Sequence, residues 1–225
     1  ALVERGWDKT IRDVVNTQPH GAQTGNNALL AELCRPRIQA HYLAVPQIRF
    51  PDEADRDCAP CPGVVPLGER LSCAHCELEV HCLPGHCPGH VCLFEPGQRW
   101  LFSSHLALPP AGREWSGADG PLWLASLDHA LALRPGALFD ADGGLVSLES
   151  EAAAALQRTR DVLLQLRGRV TEAAAGARSL QDVAQRVCGD PGWLPDRWRS
   201  LAGAPETARL RFIQTFLREL CAPAQ

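Results

Sequence analysis

The chain has 225 residues, of which 45% are hydrophobic and 21% charged, enough for one α/β core with a helical appendage and without the polar bias of a disordered chain. With 22 basic against 26 acidic side chains and a formal net charge of −4, composition offers no electrostatic footprint for nucleic acid or an anionic membrane, so a small-molecule substrate or a protein partner is expected. No apolar run approaches the roughly 20 residues that span a bilayer, and the cysteines crowd between Cys58 and Cys92 rather than spreading as disulfides do in a large secreted domain; a cytoplasmic location is the expectation.

Residues 1–13 read as a short amphipathic helix and its exit, and Val14 and Val15 as the start of a strand. A polar loop runs from Asn16 to Asn27. The stretch NNALLAELCRP has helical apolar spacing and stops at Pro36, whose ring opposes continuation. A strand near Ile38–Tyr42 follows, and residues 51–68, rich in Pro, Asp and Gly, read as an exposed loop. Leu71–Leu83 alternates as a hairpin, and Val91–Phe94 and Trp100–Phe102 flank the turn EPGQ as a second one. Beyond Pro121 the pattern becomes helical: Trp123, Leu124, Leu127, Ala130 and Leu131 share one face, and Ala152–Val170 is a long amphipathic helix. Two more helices are expected at Ser179–Val187 and Glu206–Leu220.

Four segments carry the functional information. The loop TQPHGAQTGNN (17–27) lies between a strand and a helix, LPGHCPGH (83–90) forms a turn, WLFSSH (100–105) ends a strand, and RPGA (134–137) follows a helix. In this order they resemble the T-H-x-H-x-D-H-x-G, T-P-G-H-T-P-G-H, L-L-F-T-G-D and P-G-H segments of the metallo-β-lactamase superfamily, over roughly residues 7–146; the helices beyond are similar to those of glyoxalase-II-like hydrolases.

The resemblance implies an α/β fold, an αββα sandwich over residues 1–146 lacking its first N-terminal strands, with a helical tail over 147–225. An N-terminal sheet edge without those strands needs covering, and a second copy of the chain or another protein is the expected cover. The family holds one or two metals, usually zinc. Carried over residue by residue, the first-metal ligands fall on Gln18, His20 and His86, the second-metal ligands on Ala22, Gln23 and Ala137, and the bridging carboxylate on His105. Alanine cannot coordinate, and an amide oxygen is a poorer zinc ligand than imidazole. The expectation is therefore one zinc ion or none, with His20, His86 and His105 converging and Gln18 and Gln23 beside them. Two functions follow: a hydrolase of an ester- or thioester-like bond with a single metal, or a catalytically inactive scaffold or interaction protein.

Cys58, Cys61, Cys73 and Cys76 form two CxxC pairs spaced as in zinc ribbons, and read as a structural zinc site, as disulfides or as small packed residues. His75, His81 and His90 are within reach of a metal site by residue type, while His41 and His129 read as ordinary surface or helix-face residues. Asp140 and Asp142 would share one face of a strand and read as solvated acids, as do Glu149, Glu151, Arg158 and Arg160 on helical faces.

Overall fold

A computed structural model describes residues 11–51, 58–73, 75–107, 109, 112–141, 144–148 and 150–221. The helix expected within residues 1–10, together with Asp142 and Glu149, lies outside them.

Two sheets form the centre. β1 (Asp13–Asn16) pairs in parallel with β2 (Arg37–Ala40), because α1 (Gly21–Thr24) and α2 (Asn27–Leu33) carry the chain back between them. After α3 (Val45–Arg49), the short β3 (Val65–Pro66) adds to β2, again in parallel. Ile38, Ala40, Val45, Ile48, Cys61 and Val64 are buried together between this sheet and α3. Among the described residues β1 and β3 are the edge strands of this sheet.

The second sheet follows chain order: β4 (Arg70–Ser72), β5 (Glu77–Cys82), β6 (Val91–Glu95), β7 (Trp100–Ser104), β8 (Ala137–Asp140) and β9 (Gly144–Leu148). All neighbours are antiparallel except β7 and β8, which α4 (Gly120–Ala132) joins as a crossover. Cys92, Phe94, Leu101 and Leu138 alternate onto the helical face and share one core with Leu127 of α4, Leu156 of α5 (Ser150–Ala174), Val183 of α6 (Leu180–Cys188) and Phe212 of α7 (Glu206–Cys221). With one face of each sheet turned to the other, the architecture is the αββα sandwich the resemblance implied. The C-terminal helices are part of this core, and a boundary at 146/147 runs through β9.

The sequence reading found the strands and helices with strong local pattern. It missed β8 and β9, which read as loop and helix approach, and β3, which fell inside the expected 51–68 loop. These strands are two to five residues long, too short for alternation to register, and their pairing partners supply what local propensity does not.

The turn between β5 and β6 is clamped onto α4. Asp119 N–H donates to Gly85 O at 2.7 Å, and Ser126 Oγ donates to Pro84 O at 2.6 Å. Gly85 has φ +139°, and a Cβ there would sit 2.3 Å from Trp123 Cα, with Trp123 itself fully buried. Only glycine satisfies both the backbone angle and the contact. Gly85→Ala is expected to lower stability by about 3 kcal/mol, the upper end of overpacking in a core. Gly63→Ala, where a Cβ meets nothing within 4 Å, should change it by less than about 0.5 kcal/mol; urea denaturation of both variants checks the contrast.

Candidate metal centre

The two sheets are tied at the end of β1. Val91 N–H donates to Thr17 O at 2.9 Å, and Thr17 Oγ1 donates to Ser104 Oγ at 2.8 Å. The loop after β1, the turn before β6 and the end of β7 therefore meet, carrying His20, His86 and His105 to one place.

His20 Nδ1 and His86 Nε2 are 3.3 Å apart. Glu114 Oε1 lies 3.4 Å from His20 Nδ1, and Glu114 Oε2 lies 4.0 Å from His86 Nε2. Among the described residues, this is the group of three whose ligand atoms converge. Ligand atoms around a tetrahedral zinc at 2.0–2.1 Å are separated by about 3.3 Å, so two imidazoles and a carboxylate fit one ion with small adjustments. His86 is fully buried while His20 and Glu114 keep 18% and 25% side-chain exposure, which leaves the group a solvent-facing side.

His105 lies against His86, ring centroids 5.0 Å apart, outside the convergent trio. Gln18 Nε2 donates to its Nδ1 at 2.8 Å, which leaves the ring proton on Nε2. Gln18 thus anchors a histidine from the second sheet, and its Oε1, like that of Gln23, is a buried acceptor with no hydrogen-bond donor. Buried acceptors of this kind are ordinarily satisfied by water or another polar partner. Ala22 is exposed on α1.

Two placements differ from the sequence reading. Glu114 carried no motif; it stands on a 3-10 helix, Gly112–Gly117, anchored by the fully buried Trp115, whose ring packs on Phe212 at 4.8 Å and Trp198 at 5.9 Å. A buried tryptophan beside an acidic residue was the only signal in the sequence. Ala137 does not occupy the second-metal position that the RPGA segment implied: it pairs with Trp100 at the far end of β7, whereas Asp140 pairs with Ser104. Because β7 and β8 are parallel, the residue nearest the site is at the end of β8, and the acid set aside as solvated is the one that arrives there.

The cysteine pairs stand apart. Cys58 Sγ lies close to Gly25, past the end of β1, and Cys61 is buried in the first-sheet core. Cys73 and Cys76 are exposed at the tip of the β4–β5 hairpin, where Cys73 N–H donates to Cys76 O at 2.8 Å. Burial, then the adjacent Cys76, raise the Cys73 thiol pKa, and Asp13, which opens β1, adds to it. Among the described residues these sulfurs do not belong to any group of ligand atoms close enough to share one ion. The four cysteines are not brought together. Cys61, Cys73, Cys76, Cys82, Cys87 and Cys92 are thiols rather than disulfides.

A cavity of ≈ 700 Å³ runs between the end of β8 and the C-terminal helices, lined by Ala107, Asp140, Arg158, Thr159, Arg197 and Trp198 among others; His20, His86 and Glu114 are not in its lining.

Compared with known proteins, the chain matches no family model. It is 30% identical over 132 residues to the hydroxyacylglutathione hydrolase of Nitrosococcus oceani, an alignment covering 58% of this chain and 46% of that protein. The chain spans about half the length of the curated relatives it matches. A metallo-β-lactamase family protein from Thermus thermophilus superposes with a TM-score of 0.70 at 19% identity, covering 98% of this chain and 79% of that one. A protein solved in a di-iron-bound form superposes at 0.52 with 28% identity, covering 65% and 75%. The fold and the edge site define a metallo-β-lactamase-fold protein with a divergent metal-binding motif. In sequence it resembles the glyoxalase-II-like branch of metallo-hydrolases. No helix among the described residues is long and apolar enough to cross a membrane.

His90, fully buried behind the centre, is held neutral. Burial, opposed by the hydrogen bond to Leu83 O and aided by His105 and His20, takes its pKa from 6.5 to about 3. The unfolded chain takes up this proton near pH 6.5 and the folded chain near pH 3, so the stability due to neutral His90 is complete above 6.5 and is lost as pH falls through that window. The loss amounts to about 1.4 kcal/mol per pH unit for one proton. Urea denaturation between pH 7 and pH 4 should show His90→Gln with a slope shallower than the parent's by one proton.

Proposed function

We propose that the chain is a metal-dependent hydrolase acting on an ester- or thioester-like bond of a small-molecule substrate, with one ion held by His20, His86 and Glu114. The observation that carries this reading is the convergence of two imidazole nitrogens and a carboxylate within 3.3–4.0 Å at the sheet edge where two β-strand ends and two loops meet. Zinc is the ion this donor set favours. When bound, it supplies Lewis acidity that polarises an acyl carbonyl and acidifies water.

The remaining residues have roles of their own. Gln18 fixes the His105 tautomer, which keeps a donor N–H next to His86. The buried Gln18 and Gln23 carbonyl oxygens are acceptors for water or for a substrate N–H. The cavity between β8 and the C-terminal helices has apolar surface from Ala107, Val162 and Trp198 and opposed charges from Arg158, Arg197, Asp140 and Asp196, which suits a mixed-polarity group better than a polyanion. The relatives named hydroxyacylglutathione hydrolase support a thioester as the first substrate class to test.

One observation favours the second reading, a catalytically inactive scaffold or interaction protein. The exposed Ala22 and the neutral Gln23 stand where a second ion would need a carboxylate and an imidazole, so a dinuclear centre is not available to this chain. The separation of the cysteine pairs removes support for the variant of that reading with a cysteine-bound structural zinc.

Elemental analysis of protein purified without a metal-affinity tag, then loaded with zinc and dialysed, decides between them. One zinc equivalent that depends on the edge site is expected: the parent should hold one more zinc than the His20→Ala, His86→Ala double variant, and Glu114→Gln should hold that equivalent at least about tenfold more weakly. Thioester hydrolysis should fall in parallel by about 100-fold or more. A parent chain that retains no zinc under these conditions would leave the scaffold reading standing.

A further inference from the structure

A second group of nitrogen ligands lies on the helical side of the second sheet, separate from the centre described above. His81 stands on β5 and His129 on α4, 48 residues apart in sequence. Their facing atoms, His81 Nδ1 and His129 Nε2, are 3.0 Å apart, with ring centroids at 5.1 Å and planes tilted by 59°. The other nitrogen of His81, Nε2, is 3.3 Å from Glu79 Oε2. Phe94 meets the His81 ring edge-on, at a centroid distance of 6.2 Å.

From these contacts we propose that His81 and His129 form an accessory site for a zinc-like divalent cation, with Glu79 orienting His81. A carboxylate can only accept, so Glu79 places the His81 proton on Nε2 and turns the Nδ1 lone pair toward His129. This carboxylate–imidazole arrangement is the one that ordinarily supports a metal-bound histidine from behind. Without metal, His129 Nε2–H donates to His81 Nδ1. With metal, the His129 proton moves to its own Nδ1, both lone pairs face the ion, and no net proton is gained or lost. The 3.0 Å separation is close to the roughly 3.3 Å expected between two nitrogens on a tetrahedral ion.

Both ligands are mounted on rigid elements. β5 is paired on both sides, to β4 and β6, and α4 buries Leu127 and Ala130 on either side of His129 in sequence. Little ordering is therefore left for the ion to impose. Asp128, the nearest acid in sequence to His129, is engaged by Arg160 at 2.5 Å, so the free protein ligands are the two imidazoles. His129 is exposed, which leaves the remaining coordination positions to solvent or to an external ligand. Imidazole nitrogen selects zinc, copper or nickel over magnesium and calcium. A bound ion would cross-link α4 to the sheet.

The test is zinc titration of the chelator-stripped full chain by calorimetry, compared with His129→Ala, His129→Gln and Glu79→Gln. Because His129 is exposed, its variants should fold as the parent does, which melting in chelator confirms. The parent should bind one zinc equivalent more than either His129 variant. In Glu79→Gln that equivalent should remain but weaken about tenfold or more. Repeating the comparison in the His20→Ala, His86→Ala background separates the two sites: the His129-dependent equivalent persists there, whatever happens to the centre assigned above. Equal zinc stoichiometry and affinity in the parent and both His129 variants would overturn the accessory site, as would loss of the His129-dependent equivalent in the His20→Ala, His86→Ala background.

Discussion

The arrangement of this molecule depends on the tie at Thr17. Its backbone carbonyl accepts from Val91 and its hydroxyl donates to Ser104, so the last residue before the His20 loop is bound to both the strand after the His86 turn and the strand before His105. The two sheets have separate apolar clusters, so polar ties of this kind join them at this end. Thr17 sets their relative height at the edge where the histidines meet. Hydrogen bonds of this kind contribute only about 1 kcal/mol each, but they fix position, and position is what a convergent ligand set requires.

Around that tie, the replacement of ligands by glutamine is not a simple loss. Gln18 stands where an imidazole would point at a metal, and its amide instead holds His105 across the sheet interface. A neutral amide carries both a donor and an acceptor, so it satisfies the ring nitrogen and still leaves Oε1 for another partner. Glu114, on a 3-10 helix pinned by the Trp115–Phe212–Trp198 packing, brings the carboxylate that the family's own bridging position, now His105, no longer supplies. In the proposed reading the centre keeps ligands for one ion, and one of them comes from a segment outside the four that carry the resemblance. The pinning also links it to the C-terminal helices, since Trp198 and Phe212 belong to them.

Much of the scaffold was legible from local pattern. The hydrophobic periods of α2, α4, α5, α6 and α7 and the turn-flanked apolar runs of β5, β6 and β7 were readable in the sequence itself. The short strands β3, β8 and β9 were not, because their stability is supplied by neighbours. The RPGA segment put Ala137 in a metal position by resemblance, whereas parallel pairing of β8 with β7 sets Ala137 opposite Trp100 and brings Asp140 opposite Ser104, next to His105. The CxxC spacing was also misleading, since Cys61 is buried in the core of the first sheet while Cys73 and Cys76 are exposed in the β4–β5 turn of the second.

The sequence by itself determined the family of fold, the histidines of the two glycine-containing turns and the absence of a full dinuclear ligand set. These are properties of contiguous residues, whose chemistry and backbone freedom do not depend on what they later touch. Only the tertiary structure decided that Glu114 joins His20 and His86, that Gln18 restrains His105, and that His81 meets His129. Each of those pairings joins residues distant along the chain, and the distance between such residues is set by how helices and sheets pack, which no local window contains.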